Sequence, residues 1–188
     1  PKGESALHRA CLGKAGKEVI DLLLKAGASA GQTALHFAAY SGSGGDILTT
    51  LILAGAAVNQ KDYIGKTALL YLMERQPDKD AIEAMLIFGA NPDLADNEGN
   101  TALMMAAGRA NDGDIIKLLV RHGAKVESRN LSGVTALMYA AAANPNVEVV
   151  KLLLQAGSDS DRKNLEGYSA REFVQMNPNK ESIAPLFK

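Results

Sequence analysis

The sequence predicts an all-α solenoid of stacked helix–turn–helix units, and three observations predict it. The pattern Gly-x-Thr-Ala-Leu recurs every 34 residues, with its glycines at positions 31, 65, 99 and 133 and a degenerate copy at 167. A second glycine series, at 27, 55, 89, 123 and 157, follows apolar helical stretches. The 188 residues are 47% hydrophobic and 22% charged, which is ordinary for a globular protein. A fixed period of this length is typical of a stacked helical array.

Each unit begins with a short, alanine-rich first helix. A threonine lies two residues after the first glycine, where its hydroxyl can cap the orphan N–H groups of the helix. The caps are Thr33, Thr67, Thr101 and Thr135. Pairs such as Ala38-Ala39 and Ala106-Ala107 have small side chains, so neighbouring first helices can approach closely.

The second helix carries the bulky apolar residues, as in Val149–Leu154, and ends at a glycine suited to a left-handed cap. A polar segment such as Val58–Asp62 then leads to the next unit. We expect the linkers between the two helices, such as Ser43–Gly45 and Asn144–Asn146, to be loose turns on one face. Because no unit can bury its apolar faces alone, the stack is the folding unit.

Both ends depart from the repeat. Leu7 and Leu35 are 28 rather than 34 residues apart, so either the first hairpin is truncated or about six residues (34 minus 28) are missing after Gly27, and we expect the latter. The start at Pro1 has no initiator Met or signal peptide, so we expect a fragment. The short apolar segment 183–187 at the end predicts a capping unit whose outer face is exposed to solvent.

These residues resemble the ankyrin repeat over nearly the whole chain. The run Thr33–Ala39 is close to the family's Thr-Pro-Leu-His-x-Ala pattern, and Leu23–Ala28 is close to its Leu-Leu-x-x-Gly-Ala pattern. The resemblance implies L-shaped units, each with two antiparallel helices and a projecting hairpin, within one domain over 1–188. The implied units are approximately 3–30, 31–64, 65–98, 99–132 and 133–166, with a cap at 167–188.

The resemblance also implies a non-enzymatic scaffold that binds a protein partner through its hairpin tips and the concave face of the first helices. The residues at those positions are Tyr40, Ser41, Lys61, Tyr63, Ile64, Lys66, Glu74, Arg75, Asn97, Asn100, Arg109, Arg129, Leu131, Val134, Lys163, Leu165 and Tyr168. Tyr63, Ile64 and Tyr168 are the strongest anchor candidates, because exposed aromatic side chains tend to be hot spots. Packing of tip side chains onto neighbouring tips is an equally open alternative.

Two further groups of large side chains stand out. One column follows the first helices, at Phe37, Tyr71, Met105, Tyr139 and Phe173, and either packs these helices together or forms a binding strip. A second contact surface for self-association is predicted at Leu53, Ile87 and Phe88, unless the hairpin loops fold over it. In the third unit, we expect Leu72 and Met73 to fill space left by Thr50 and Ala84.

No residue pattern predicts catalysis, a cofactor or a metal site. His8, His36 and Cys11 occupy structural positions of the repeat, and the cysteine is single. The net charge of -1 and the absence of Trp argue against nucleic-acid binding, and no apolar run is long enough to span a membrane. The alternative function is that of a regulatory or substrate-targeting region of a larger enzyme or effector.

Overall fold

The computed structural model describes residues 5–13, 15–28, 34–74, 78–109 and 113–187 and arranges them in consecutive helix pairs. The pairs are α1 (Ala6–Leu12) with α2 (Lys17–Lys25), α3 (Ala34–Ser41) with α4 (Gly45–Leu53), α5 (Ala68–Glu74) with α6 (Lys79–Ile87), α7 (Ala102–Arg109) with α8 (Gly113–Arg121), and α9 (Ala136–Ala143) with α10 (Val147–Gln155). They are followed by α11 (Ala170–Phe173), a 3-10 helix (Val174–Met176), α12 (Lys180–Ile183) and a second 3-10 helix (Ala184–Phe187). The described part of the chain contains no strand, so the predicted all-α class is confirmed.

The first helices begin where the threonines predict. The hydroxyls of Thr67, Thr101 and Thr135 accept hydrogen bonds from the backbone N–H three residues later, at 3.4, 3.5 and 3.4 Å. Thr33 lies outside the described residues, together with the rest of segment 29–33. The expectation about the first hairpin concerns this same segment.

The second helices end at the predicted glycines. The backbone φ angles at positions 27, 55, 89, 123 and 157 are 86°, 95°, 85°, 86° and 93°, which is the left-handed region. At Gly89 the chain closes the helix with a bond from its N–H to the carbonyl of Leu86, and the next N–H, of Ala90, reaches Met85. A side chain at these positions would strain the backbone, so the glycines define where each unit turns.

Residues Pro1–Asn91 form one compact unit. Within it α1, α3 and α5 pack side by side, as do α2, α4 and α6. Leu35 and Leu69 are each 1% exposed and lie in the core. Leu72 and Met73 are also buried, so the extra bulk of the third repeat lies in the interior, and that it fills the space left by Thr50 and Ala84 stays a prediction.

Residues Pro92–Lys188 form a second compact unit, in which α7, α9 and α11 pack in one row, and α8, α10 and α12 contribute the other. Ile183 and Phe187 are buried at the end of the described chain. Ser169 and Glu172 form a capping box at the start of α11. This last segment packs against α9 and α10, and its role as a cap stays a prediction.

The linker at 144–146 is held by buried hydrogen bonds, so the prediction of a loose turn is wrong there. Asn144 is completely buried; its Nδ2 donates to the carbonyl of Ala107 at 2.7 Å, and its Oδ1 accepts from the N–H of Asn146 at 2.8 Å. Asn177 in the next linker donates likewise to the carbonyls of Ala141 and Asn144. Each amide satisfies carbonyls left open at the end of the preceding first helix, which fastens one repeat to the next.

Within the described ranges, no helix is both long and apolar enough to cross a membrane. The same residues contain no group of three or more His, Cys, Asp or Glu side chains that could hold a metal ion.

Candidate functional site

One acidic or amide side chain shapes each hairpin. The Oδ1 atom of Asp62 accepts hydrogen bonds from the backbone N–H groups of Ile64 at 3.0 Å and Lys66 at 2.8 Å. The residues 34, 68 and 102 positions later make the same two bonds, and they are Asp96, Asn130 and Asn164. Bonds of this kind close a tight turn. They place the following residue, which we call the tip residue, at the end of the loop.

The tip residues are exposed. Tyr63 is 91% exposed, Leu131 72% and Leu165 73%, and the fourth tip residue, Asn97, is polar and exposed. These exposed fractions show that neighbouring tips leave most of the Tyr63, Leu131 and Leu165 side chains uncovered. Tyr168, the other predicted aromatic anchor, is also exposed.

The remaining predicted residues differ in accessibility. Exposed side chains belong to Tyr40, Lys61, Arg109, Arg129 and Lys163, and half-buried ones to Ile64, Lys66, Glu74, Asn100 and Val134. Ser41 is buried, so its placement on the exposed surface is wrong. Its hydroxyl donates to the carbonyl of Ala38 at 3.0 Å, because the last turn of α3 needs a donor there. Arg75 lies outside the described residues, together with the linker residues 76 and 77.

Three of the polar candidates make side-chain contacts with other residues of the chain. Lys66 forms an ion pair with Glu74. The Oδ1 atom of Asn100 accepts a hydrogen bond from the hydroxyl of Tyr139 at 3.0 Å. The guanidinium of Arg129 donates to a carbonyl of the next hairpin at 3.0 Å. These side chains position the hairpins against the first helices within each unit.

A cavity of about 360 Å³ opens in the first unit between α1, α3, α5 and the hairpin that follows α4. Its lining residues are Leu12, His36, Phe37, Tyr40, Asp62, Tyr63 and Tyr71. We call it the tyrosine cavity. It brings together Tyr40 and Tyr63 from the predicted set with Phe37 and Tyr71 from the column of large side chains. Asp62 was not predicted, although its aspartate-or-asparagine position repeats every 34 residues in the sequence.

The aromatic rings of the tyrosine cavity meet at right angles. The rings of Tyr40 and Tyr71 have centroids 5.8 Å apart and an interplanar angle of 89°. The Tyr71 hydroxyl donates to Oδ2 of Asp62 at 2.6 Å. Burial, the hydrogen bond to Asp62 and the charge of that carboxylate raise the pKa of Tyr71, so its phenol stays protonated at neutral pH.

The histidine and cysteine side chains have structural roles. The Nε2 atom of His36 lies 3.0 Å from the carbonyl of Gln60 and 3.2 Å from that of Lys66, so it must carry the proton it donates. The Nδ1 atom of His8 accepts from the N–H of Ser5 at 2.9 Å. Cys11 is 1% exposed, and burial raises the pKa of its thiol to about 11.

The column of large side chains is half-buried at every position, and its use as a binding strip stays a prediction. The predicted second surface is different. Leu53 is 73% exposed, Ile87 66% and Phe88 38%. The expectation that hairpin loops fold over these three side chains is therefore wrong. They lie at the ends of α4 and α6, which pack against each other.

Paired helices joined by shaped hairpins, with an exposed residue at each described tip, define a helical repeat protein. A family model described as ankyrin repeats (3 copies) matches residues 1–62 and 69–164. This is more than half of the chain, which therefore belongs to the ankyrin-repeat family. Ankyrin repeats are generally protein–protein interaction modules. A comparison with curated proteins finds no match.

Proposed function

We propose that this chain is a non-enzymatic scaffold that holds a protein partner against its hairpin tips and the adjoining concave face of its first helices. The observation that carries the proposal is the tip column, by which we mean the four described tip residues, three of which present a large apolar side chain to solvent. The exposed fractions of Tyr63, Leu131 and Leu165 are 91%, 72% and 73%. The repeat does not require apolar groups there, because Asn97 occupies the same position.

Burial of these side chains would drive association. Covering one leucine-sized side chain contributes about 1.5–3 kcal/mol of hydrophobic free energy. The hairpins are held by side-chain hydrogen bonds to their own backbone, so little loop ordering opposes binding. Leu131 and Leu165 lie on adjacent hairpins that are joined by a backbone hydrogen bond, and a fixed pair of apolar anchors suits a protein surface better than a small molecule.

The test begins with affinity capture from a native lysate and mass spectrometry, followed by binding measurements with the purified partner. We expect the pair Tyr63→Ala and Tyr168→Ala to weaken binding at least tenfold, which corresponds to about 1.4 kcal/mol. The control is Leu22→Ala, because Leu22 is 66% exposed on α2, outside the tip column. Unchanged affinity in the tyrosine double variant would refute this surface.

A further inference from the structure

The tyrosine cavity has a composition that the repeat does not need. At the position of Tyr40 the later repeats have Glu74, Gly108 and Ala142. At the tip they have asparagine or leucine instead of tyrosine, and the hairpin turn is closed equally well by asparagine in two repeats. Tyr40 and Tyr63 are thus combined with Asp62 in one repeat, although the later repeats fold without a tyrosine at either position. We propose that the tyrosine cavity binds an arginine side chain of the protein partner, an inference that rests on the proposed function.

The aromatic walls favour a cation. The rings of Tyr40 and Tyr71 are perpendicular, with Phe37 beside them in the lining, and the faces of such rings carry the electron-rich π surface that attracts positive charge. The chain already shows this attraction, because Nζ of Lys66 lies 5.5 Å from the centroid of the Tyr71 ring. Tyr63 is almost fully exposed and stands at the rim, where it can close over an entering side chain.

The charged side chain that lines the cavity is negative, which is the sign that attracts a cation. Asp62 is the acidic residue among the described residues that line the cavity, and no Lys or Arg is among them. The positive charge of the nearby Lys66 is offset by its ion pair with Glu74. A positive ligand in the cavity would therefore face an uncompensated carboxylate at short range, which contributes more there than in open water.

The hydrogen bonds of Asp62 select the kind of cation. Its oxygens already accept from the N–H groups of Ile64 and Lys66 and from the hydroxyl of Tyr71. A carboxylate has about four acceptor positions, so roughly one remains. An ammonium group has three strongly hydrated donors and would lose water without replacement. A guanidinium is flat and weakly hydrated, stacks on aromatic rings, and can use the single acceptor with one edge.

The direct test titrates the chain with N-acetyl-arginine amide while NMR follows the tyrosine ring resonances. We expect shifts for Tyr40, Tyr63 and Tyr71, and an affinity roughly tenfold above that of the neutral isostere N-acetyl-citrulline amide. N-acetyl-lysine amide and its trimethylated form are the other two probes. The proposal is overturned if citrulline or either lysine probe binds as tightly as arginine, or if the three rings do not shift.

Two variants keep the fold and remove the proposed contacts. Asp62→Asn removes the charge, and asparagine makes the same turn bonds at positions 130 and 164. Tyr40→Ala introduces the residue found at Ala142. We expect each change to weaken arginine binding roughly fivefold. Asp96→Asn is the matched control, since Asp96 shapes its own hairpin but does not line the cavity.

The outcomes separate this inference from the proposed function. Thermal unfolding of Asp62→Asn checks that this variant is folded. If it is not folded, arginine binding by Tyr40→Ala provides the test. A captured partner whose affinity is unchanged in both variants keeps the scaffold function and overturns the arginine site. Binding of the arginine probe that depends on Asp62, in a chain whose partner affinity is unchanged when Leu131 and Leu165 are both replaced by alanine, supports the arginine site and overturns the contribution of the tip residues.

Discussion

A single side chain sets the shape of each hairpin, and Asn130 shows how much depends on it. Its Oδ1 accepts from the N–H groups of Ser132 at 3.0 Å and Val134 at 2.9 Å, and its Nδ2 donates to the hydroxyl of Tyr139 at 3.1 Å. We expect Asn130→Ala to lower the free energy of unfolding by about 1–3 kcal/mol, because buried or partly buried partners lose their hydrogen bonds. Urea denaturation measures the change.

The control for this prediction is Asn130→Asp. The carboxylates of Asp62 and Asp96 make the same turn bonds in other hairpins, so aspartate should keep the turn and lose only the Nδ2 contacts. Equal losses in the alanine and aspartate variants would show that the turn bonds do not contribute.

Cys11 is a second residue whose environment determines its chemistry. Burial raises the pKa of its thiol from the ordinary 9.0 to about 11, and alkylating reagents attack the thiolate. We expect iodoacetamide at pH 8 to leave the native chain unlabelled and to label it once in urea, since the sequence has one cysteine. The neutral thiol also favours folding below pH 9, and this contribution is lost as pH rises towards 11. Rapid labelling of the native chain would contradict the buried position.

At the scale of the elements, the linker asparagines fasten one repeat to the next. Asn144 is 0% exposed and bonds Ala107 in the preceding repeat. We expect Asn144→Ala to cost about 1–3 kcal/mol in the free energy of unfolding, since an N–H and a carbonyl lose their partners in the interior. Gln155→Ala, which removes an exposed amide from α10, is the control and should be nearly neutral. If both variants unfold at the same urea concentration, the linker is not a fastening point.

These elements also show what the sequence can predict. The caps at Thr101 and Thr135 and the turn at Gly89 depend on residues within a few positions, so a single repeat is enough to predict them. Ser41 and Asn144 were placed wrongly because their burial depends on packing and hydrogen bonds that sequence position alone does not specify. The column of large residues and the tip residues were predicted from their period.

The tyrosine cavity could be predicted only in part, for the same reason. Tyr40 lies on α3, Asp62 in a hairpin and Tyr71 on α5, and only the stacking of two repeats brings them together. The period gives each residue its place in a unit. It does not give the distance between an aspartate at a turn and a phenol on the next helix, which is 2.6 Å here.

At the scale of the whole molecule, an uncovered apolar patch predicts self-association. Leu53 and Ile87 end α4 and α6 at equivalent positions and are 73% and 66% exposed, with Phe88 beside them. Contiguous exposed apolar groups lower their free energy by pairing with another apolar surface, and a second copy of the chain offers the same one. We expect the sedimentation coefficient of the parent to rise with concentration.

The pair Leu53→Lys and Ile87→Lys should remove this association without unfolding the chain, because both side chains point into solvent and an ammonium group resists burial. The matched control is the pair Leu131→Lys and Leu165→Lys, which adds the same charge at equally exposed tip positions and should still associate. If the parent sediments as a monomer at every concentration, the patch is no contact between copies. If both lysine pairs abolish association equally, added charge rather than the patch is responsible.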